Sequence, residues 1–310
     1  MLLTYRVCAQ DEGTPLGLLL RRQMAISDTL VRQTKRESRP ILVDGKHRFT
    51  NQAVHAGERV FVDLPDYPPL CLNEGMRPNE NLSILYQDAY LLCVWKPAGL
   101  QTHPSPSAPR RSDTLEARVI SALGAPAHPV HRLDADTSGI VLFARFPYVQ
   151  SVLQSQMQTG SFSKEYRAYV FGVPEALQGT IQSQILQTSP ESYTRIISDN
   201  GRPAESRFRV LASFSKGDST FSYLLLHPIS GRTHQLRVHL TSIGHPILGD
   251  NRYATSASLR LSQELGISRQ QLCCIRLAFI HPITHEPLVV SSREDLELST
   301  SLSPSPPSDE

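Results

Sequence analysis

Reactive side chains are densest in HPVHRLDADTSGIVLFAR, residues 128–145, where Asp134 and Asp136 lie beside Arg132 and a Thr-Ser-Gly turn runs into an apolar strand. Carboxylates delivered to the end of a rigid element suit acid–base or nucleophilic work, because the element fixes where their charge is presented. The same residues also suit a plain turn, with Asp134, Asp136 and Ser138 capping the chain before the strand. Spacing alone leaves both readings open.

A second concentration is HPISGRTHQLRVHLTSIGHPILGDNRYA, residues 227–254, in which Arg232 and Arg237 flank Thr233, His234 and Gln235. Leu236, Leu240 and Ile243 recur at helical spacing, which predicts a helix with one apolar face and a separate polar one. A zinc site built from His234, His239 and His245 fails on spacing, since two ligands on one helical face lie three or four positions apart, so no metal is expected. Two weaker pieces remain. Lys96-Pro97-Ala98-Gly99 ends an apolar strand in a tight turn and reads as structural. Tyr166, in the strand-like FSKEYRAYVFG of residues 162–172, is either a buried core ring or a platform on which a flat ligand stacks.

The elements that must position these groups fall into regions of different texture. Residues 14–64 alternate helical stretches (GLLLRRQ, DTLVRQTKRES) with strand-like runs (PILVDGKHRF, GERVFVDL) turning at Gly45 and Gly57, a small α+β module. Residues 65–82, rich in Pro, Asn and Gly, read as a linker. Residues 83–298 form a large domain of many strands (GIVLFARF, KEYRAYVFG, STFSYLLLH) and fewer helices (TLEARVISALG, YVQSVLQSQMQTG). The tail, 299–310, has almost nothing apolar to bury and is expected to be disordered.

Charge and cysteine usage narrow the setting. The net charge is only +2, but residues 17–48 carry eight Lys or Arg against three Asp or Glu, so the chain has a local attraction for an anionic partner. Five cysteines, Cys8, Cys71, Cys93, Cys273 and Cys274, with no CxxC pair, fit a reducing, cytoplasmic environment. The N-terminus does not read as a signal peptide, and no apolar run approaches a membrane span. A monomer is the default expectation.

The order of the pieces is more telling than any one of them. YQDAYLLCVWKPAGL, HRLDADTSG, KEYRAYV and GRTHQLRVH, in this sequence, closely resemble the four core motifs of the RluA-type pseudouridine synthases over about residues 83–290. Residues 14–64 resemble, more loosely, the S-four-type RNA-binding module (alpha-L) that often precedes that catalytic domain. The chain departs from the family pattern after His103-Pro104, where SPSAPRRSD stands in place of a frequent glycine, and at Cys273 and Cys274, where a histidine is frequent.

The resemblance implies an α+β fold with a central mixed, mostly antiparallel sheet, and conversion of uridine to pseudouridine in structured RNA. Substrate and product are isomers, so no cofactor is required. The catalytic role falls on Asp134 rather than Asp136, a choice the residues themselves left open. A carboxylate suits an oxocarbenium-like sugar centre, either attacking it or assisting elimination to a glycal. Arg237 is implied as the ion-pair partner that orients Asp134. Tyr166 is implied as the ring stacked on the target base, a role ranked above proton transfer, because a phenol of ordinary pKa about 10 is a poor base near pH 7.

Arg132 would hold the space vacated when the uridine leaves its stack, with Arg232 a further RNA contact. Arg21, Arg22, Arg32, Lys35, Arg36 and Arg39 would bind phosphates, against the blander reading of a solvated helix face. The attached module makes ribosomal RNA of the large subunit the first expected substrate and transfer RNA the second. Two rivals, a binding-only protein and a metal-dependent RNA hydrolase, are disfavoured by the intact Asp134, Tyr166 and Arg237 and by the histidine spacing.

Overall fold

A computed structural model describes residues 1–64, 82–104, 113–189, 193–292 and 296. The expected linker (apart from Leu82), most of the loop after Pro104, Cys71 and the expected disordered tail lie outside them.

The N-terminal unit contains β1 (Leu2–Arg6), α1 (Leu16–Arg22), α2 (Asp28–Arg36), β2 (Ile41–Val43), β3 (Lys46–His47) and β4 (Arg59–Asp63), its sheet ordered β1-β4-β2-β3. Leu16, Leu19, Leu20, Leu30 and Val31 on the helices pack against Ile41, Val43, Val60 and Val62 on the sheet. The unit begins earlier than residue 14, because β1 pairs along its whole length with β4. Only its alternating half-burial marks that segment as a strand, too short a pattern to read without its partner. Ser27 caps α2 by accepting from the Leu30 N–H at 3.3 Å.

The large unit contains β5 (Ile84–Gln87), β6 (Leu91–Lys96), α3 (Leu115–Leu123), β7 (His128–Pro129), β8 (Ser138–Ala144), α4 (Pro147–Thr159), β9 (Ser163–Phe171), β10 (Gln178–Gln187), β11 (Arg195–Ile197), β12 (Arg202–Lys216), β13 (Ser219–Pro228), α5 (Gln235–Ser242), α6 (Ser256–Glu264), β14 (Leu272–Ile280) and β15 (Pro287–Ser291). One eleven-stranded sheet runs β11-β10-β12-β13-β9-β14-β8-β6-β5, with β7 beside β8 and β15 beside β14. Its only parallel pairing among the described residues is β8 with β14, so the expected mixed, mostly antiparallel sheet is what forms. Every residue of β8 is buried, as a central strand covered on both faces requires.

Helices stop where their ends are chemically marked. Thr114 caps α3 by accepting from the Ala117 N–H at 3.2 Å, and Gly124 closes it in the left-handed conformation. Pro147 opens α4 and Gly160 closes it. The helix α5 departs from expectation. Ile243 falls just beyond its end and is exposed, while Gln235 through Leu240 are all buried, polar residues included. From Gln235 to Leu240 the helix therefore has no solvated polar face: Gln235 and Arg237 line the cleft and His239 packs against Ser206.

Tyr148 on α4 packs against the cores of both units, and the Ser151 hydroxyl donates to the Ala25 carbonyl at 3.2 Å.

Candidate active site

The segment carrying Asp134 is clamped from below by the turn that follows β6. Lys96 is fully buried, and its ammonium donates to the carbonyls of Pro97 (2.9 Å), Leu100 (2.7 Å) and Ala135 (2.7 Å), stapling the two segments together. Burial pushes its pKa down to about 8, against the opposing pull of Asp136 and Asp134. The Thr102 hydroxyl donates to the Leu133 carbonyl at 2.9 Å and accepts from the Leu133 N–H at 3.1 Å. The Thr137 N–H donates to the Asp134 carbonyl at 3.2 Å. The turn reading holds and leaves the side chain free for the cleft: the backbone of Asp134 makes the turn while its carboxylate lines the cleft.

Gly139 explains the last residue of the Thr-Ser-Gly turn. It has φ +121°, and a Cβ there would collide with the backbone of Cys274 on β14. Only glycine lets β8 approach β14 closely enough to pair in parallel, which places Asp134 at the end of the central strands.

Asp134 meets Arg237 across 103 residues of chain, Nη1 to Oδ2 at 3.1 Å. The rest of that guanidinium is held from behind by a carboxylate that the motif reading passed over. Asp250 accepts from Arg237 Nε at 2.7 Å and Nη2 at 2.9 Å. Asp250 also accepts from the backbone N–H groups of Arg252 and Tyr253 and from Gln270 Nε2, while Thr137 donates to Gln270 Oε1 at 2.8 Å. A closed network thus runs from the Asp134 turn through Gln270 and Asp250 to Arg237 and back. Burial works against both charges, yet the pair overrides it, holding Arg237 above its ordinary pKa and Asp250 below the usual carboxylate range. The preceding Gly249, at φ +72°, sits where a Cβ would strike the Arg269 carbonyl, so Asp250 enters the site through a position only glycine fills.

His234 opens α5 in the left-handed region, φ +56°, a strained choice for a residue with a Cβ. Its ring lies between two partners, Nδ1 at 2.8 Å from the Tyr253 hydroxyl and Nε2 at 3.8 Å from Asp134 Oδ2. The Tyr253 oxygen also accepts from the Arg195 N–H at 2.9 Å. Burial pushes the His234 pKa down to about 4, the pull of Asp134 being offset by Arg237, Arg252 and Arg195. The other two histidines weighed as zinc ligands point elsewhere, His239 to the Ser206 hydroxyl and His245 to the Phe171 carbonyl.

Above these groups a cleft, open to solvent, is lined by Asp134, Arg132, Thr137, Lys164, Tyr166, Arg232, His234 and Arg237, among others. Asp136 is not among its lining residues. It borders a neighbouring depression with Asp250 and Arg252. Tyr166 is buried, and that burial, together with the Cys274 thiol and the Asp134 charge, holds its hydroxyl well above the ordinary phenol pKa. The structure thus brings Asp134, Tyr166 and Arg237 together, with Arg132 exposed at the rim and Arg232 exposed with its Nε on the Pro203 carbonyl at 3.0 Å.

The N-terminal cations lie apart from this cleft. Arg21, Arg22, Arg32, Lys35 and Arg36 are exposed on α1 and α2. Arg21 pairs with Asp28 at 3.1 Å, and Lys35 donates to the Thr50 hydroxyl at 2.7 Å. Arg39 differs from the other five: it is half-buried and engaged by Glu37 at 3.3 Å and Asp63 at 3.4 Å, so it serves the unit's own packing.

Residues 90–242 match the family model of RNA pseudouridylate synthases. An uncharacterised RNA pseudouridine synthase of Bacillus subtilis is 31% identical over 288 residues, covering 91% of this chain and 90% of that one. The ribosomal large subunit pseudouridine synthase C of Vibrio cholerae is 30% identical, covering 84% and 85%. The chain belongs to the RluA-type RNA pseudouridine synthases. The solved human RNA pseudouridylate synthase domain-containing protein 1 superposes on the enzyme with a TM-score of 0.61 at 26% identity, over 74% of this chain and 92% of that one. The enzyme is an isomerase acting on uridine in RNA. Sequence reasoning missed Asp250, and it weighed His234 only as a metal ligand. The signal for Asp250 was its Gly-Asp context, legible only once Gly249 is known to face the Arg269 carbonyl. Among the described residues no helix is long and apolar enough to cross a membrane.

Proposed function

We propose that this synthase isomerises a uridine of large-subunit ribosomal RNA in the cytoplasm, acting as a monomer with Asp134 as its catalytic carboxylate. The observation that carries the reading is the placement of Asp134: it lines the same cleft as Tyr166 and is aimed by a guanidinium that is itself locked by Asp250. The target uridine leaves its stack, at a cost of a few kcal/mol, and its base lies on the Tyr166 ring. The anomeric carbon then faces Asp134, and Arg132 at the rim occupies the space the base left. Because Tyr166 keeps its proton, it acts as a platform rather than a base. Substrate and product have the same atoms, so the chemistry calls for no cofactor.

The ribosomal assignment rests on a relative whose name specifies the ribosomal large subunit and on the N-terminal unit, read as an S-four-type RNA-binding module. Its two helices present Arg21, Arg22, Arg32, Lys35 and Arg36 to solvent, where they contact phosphates without reading bases.

A carbodiimide-based pseudouridine map of total RNA from wild-type, deletion and Asp134→Asn cells tests the whole reading. One large-subunit site lost in both altered strains is the expected result. Loss in transfer RNA would overturn the substrate, and a site retained with Asp134→Asn would overturn the catalytic residue.

A further inference from the structure

Three cations besides Arg132 line the cleft, and two of them are engaged: Arg237 by Asp134 and Asp250, Arg232 by the Pro203 carbonyl. Lys164 is the third. It precedes Tyr166 by two positions on β9, so both side chains stand on the same face of the sheet, about 7 Å apart along the strand. Its strand neighbour on β14 is Leu277, and among the described residues no hydrogen bond or ion pair engages its amine. Burial lowers its pKa, with the Cys274 thiol opposing. Within its reach His131 stays neutral, its pKa pushed down to about 3 by burial and by the Lys164 charge. Asp134, Tyr166 and Lys164 all line the one cleft, the ring and the amine side by side on β9.

A partly buried cation with no carboxylate is costly to hold unless the ligand completes it. The geometry points to Lys164 as a further catalytic residue that donates to a ring carbonyl of the target uracil and offsets the negative charge on the departing base. The inference rests on the assignment of Asp134 and Tyr166 above. When the bond from C1′ to N1 breaks, its electron pair stays with the base, giving a uracil anion whose charge is spread over N1, O2 and O4. With the sugar at Asp134 and the ring on Tyr166, the carbonyl edge extends toward Lys164.

The symmetry of uracil lets one amine serve both halves of the reaction. A half-turn about the line from C6 to N3 exchanges N1 with C5, and with them O2 with O4. A cation facing one carbonyl before the turn faces the other afterwards, without moving. The turned anion then bonds to C1′ through C5, C5 gives up its proton, and N1 takes one up. Atoms and charge balance with no co-reactant.

Leaving-group chemistry distinguishes this role from a structural one. RNA lacking the modification is extracted from deletion cells grown without and with 5-fluorouracil, and single-turnover loss of the original nucleoside at the target site is followed for wild type, Lys164→Met and Lys164→Arg. Loss of the charged donor is expected to slow the uridine reaction about 100-fold with half-saturating RNA unchanged, with Arg partly restoring it. The fluorine withdraws electrons and makes the base a better leaving group, so the same substitution is expected to slow the 5-fluorouridine reaction by about 10-fold or less. Equal losses on both RNAs, or full activity of Lys164→Met, would overturn the inference. Should Lys164→Met not fold, Lys164→Gln carries the same comparison. Which RNA bears the site, and whether Asp134→Asn is inert on it, tests the underlying assignment separately.

Discussion

Replacing Asp250 with asparagine separates the scaffold of the site from its chemistry, since the Asp250 side chain is fully buried behind Arg237. The amide oxygen can stand at Oδ1 and keep the N–H groups of Arg252 and Tyr253 and the Nη2 of Arg237. The amide nitrogen then stands at Oδ2, where it meets two donors, Arg237 Nε and Gln270 Nε2. Two hydrogen bonds to a charged acceptor, each worth about 1.5–3 kcal/mol, are lost and a buried guanidinium loses one of its two counter-charges. A total stability cost of about 3–5 kcal/mol follows for a broken buried pair.

The guanidinium, no longer held from behind, loosens at Asp134, and kcat is expected to fall by about 10- to 100-fold, within what one preorganised contact contributes. Half-saturating RNA should not change, because Asp250 does not line the substrate cleft. Urea unfolding followed by the fluorescence of Trp95, the single tryptophan and one packed against the core, gives the first number, and single-turnover kinetics gives the second. A cost below about 1 kcal/mol together with an unchanged rate would refute the claim that Asp250 positions Arg237.

Three further outcomes follow from the same geometry. Tyr166→Phe should retain the rate to within about 10-fold and Tyr166→Ala should lose about 100-fold, since the stacking surface rather than the hydroxyl does the binding; the reverse ranking in single-turnover assays would make Tyr166 a proton-transfer group. Lys96→Met should leave the Pro97, Leu100 and Ala135 carbonyls unpaired, lowering stability by about 3 kcal/mol or more and slowing catalysis with it; a stable, fully active variant in urea titration and turnover assays would contradict the staple. His131, with its pKa pushed down to about 3, and His234 and His239, pushed to about 4, are neutral in the folded enzyme but gain protons in the unfolded chain below about 6.5. The unfolded state therefore binds more protons between about pH 4 and 6.5, and stability should fall as pH drops through that window, by about 2 kcal/mol per ring at pH 5. Calorimetry that shows no fall in melting temperature from pH 7 to 5 would contradict their burial as neutral rings.

Much was legible before any tertiary contact was known. The helical stretches read over 114–124 and 148–160 match α3 and α4 to within a residue, and the Gly124 and Gly160 that end them act within one turn of chain and need no partner. The continuous apolar run of β8 announced a strand, whose central place the sheet order then gave. Local chemistry failed where the deciding partner lay far off. The segment Leu2–Arg6 becomes a strand only through pairing with β4, and Ile243 loses its place in the core because α5 turns its polar residues inward toward Asp250 and Ser206.

By itself, then, the sequence determined most element types, the family and the reactive groups within the four motifs other than Lys164, because caps, periodicity and motif order are properties of contiguous residues. Only the tertiary structure decided that Asp134 lines the cleft while Asp136 borders its neighbour, that Asp250 stands behind Arg237, and that Lys164 shares a face with Tyr166 without a carboxylate of its own. Those choices are made by strand register and close backbone approach, β8 against β14 at Gly139 and Gly249 against Arg269, and such distances between remote residues exist only once the sheet has closed.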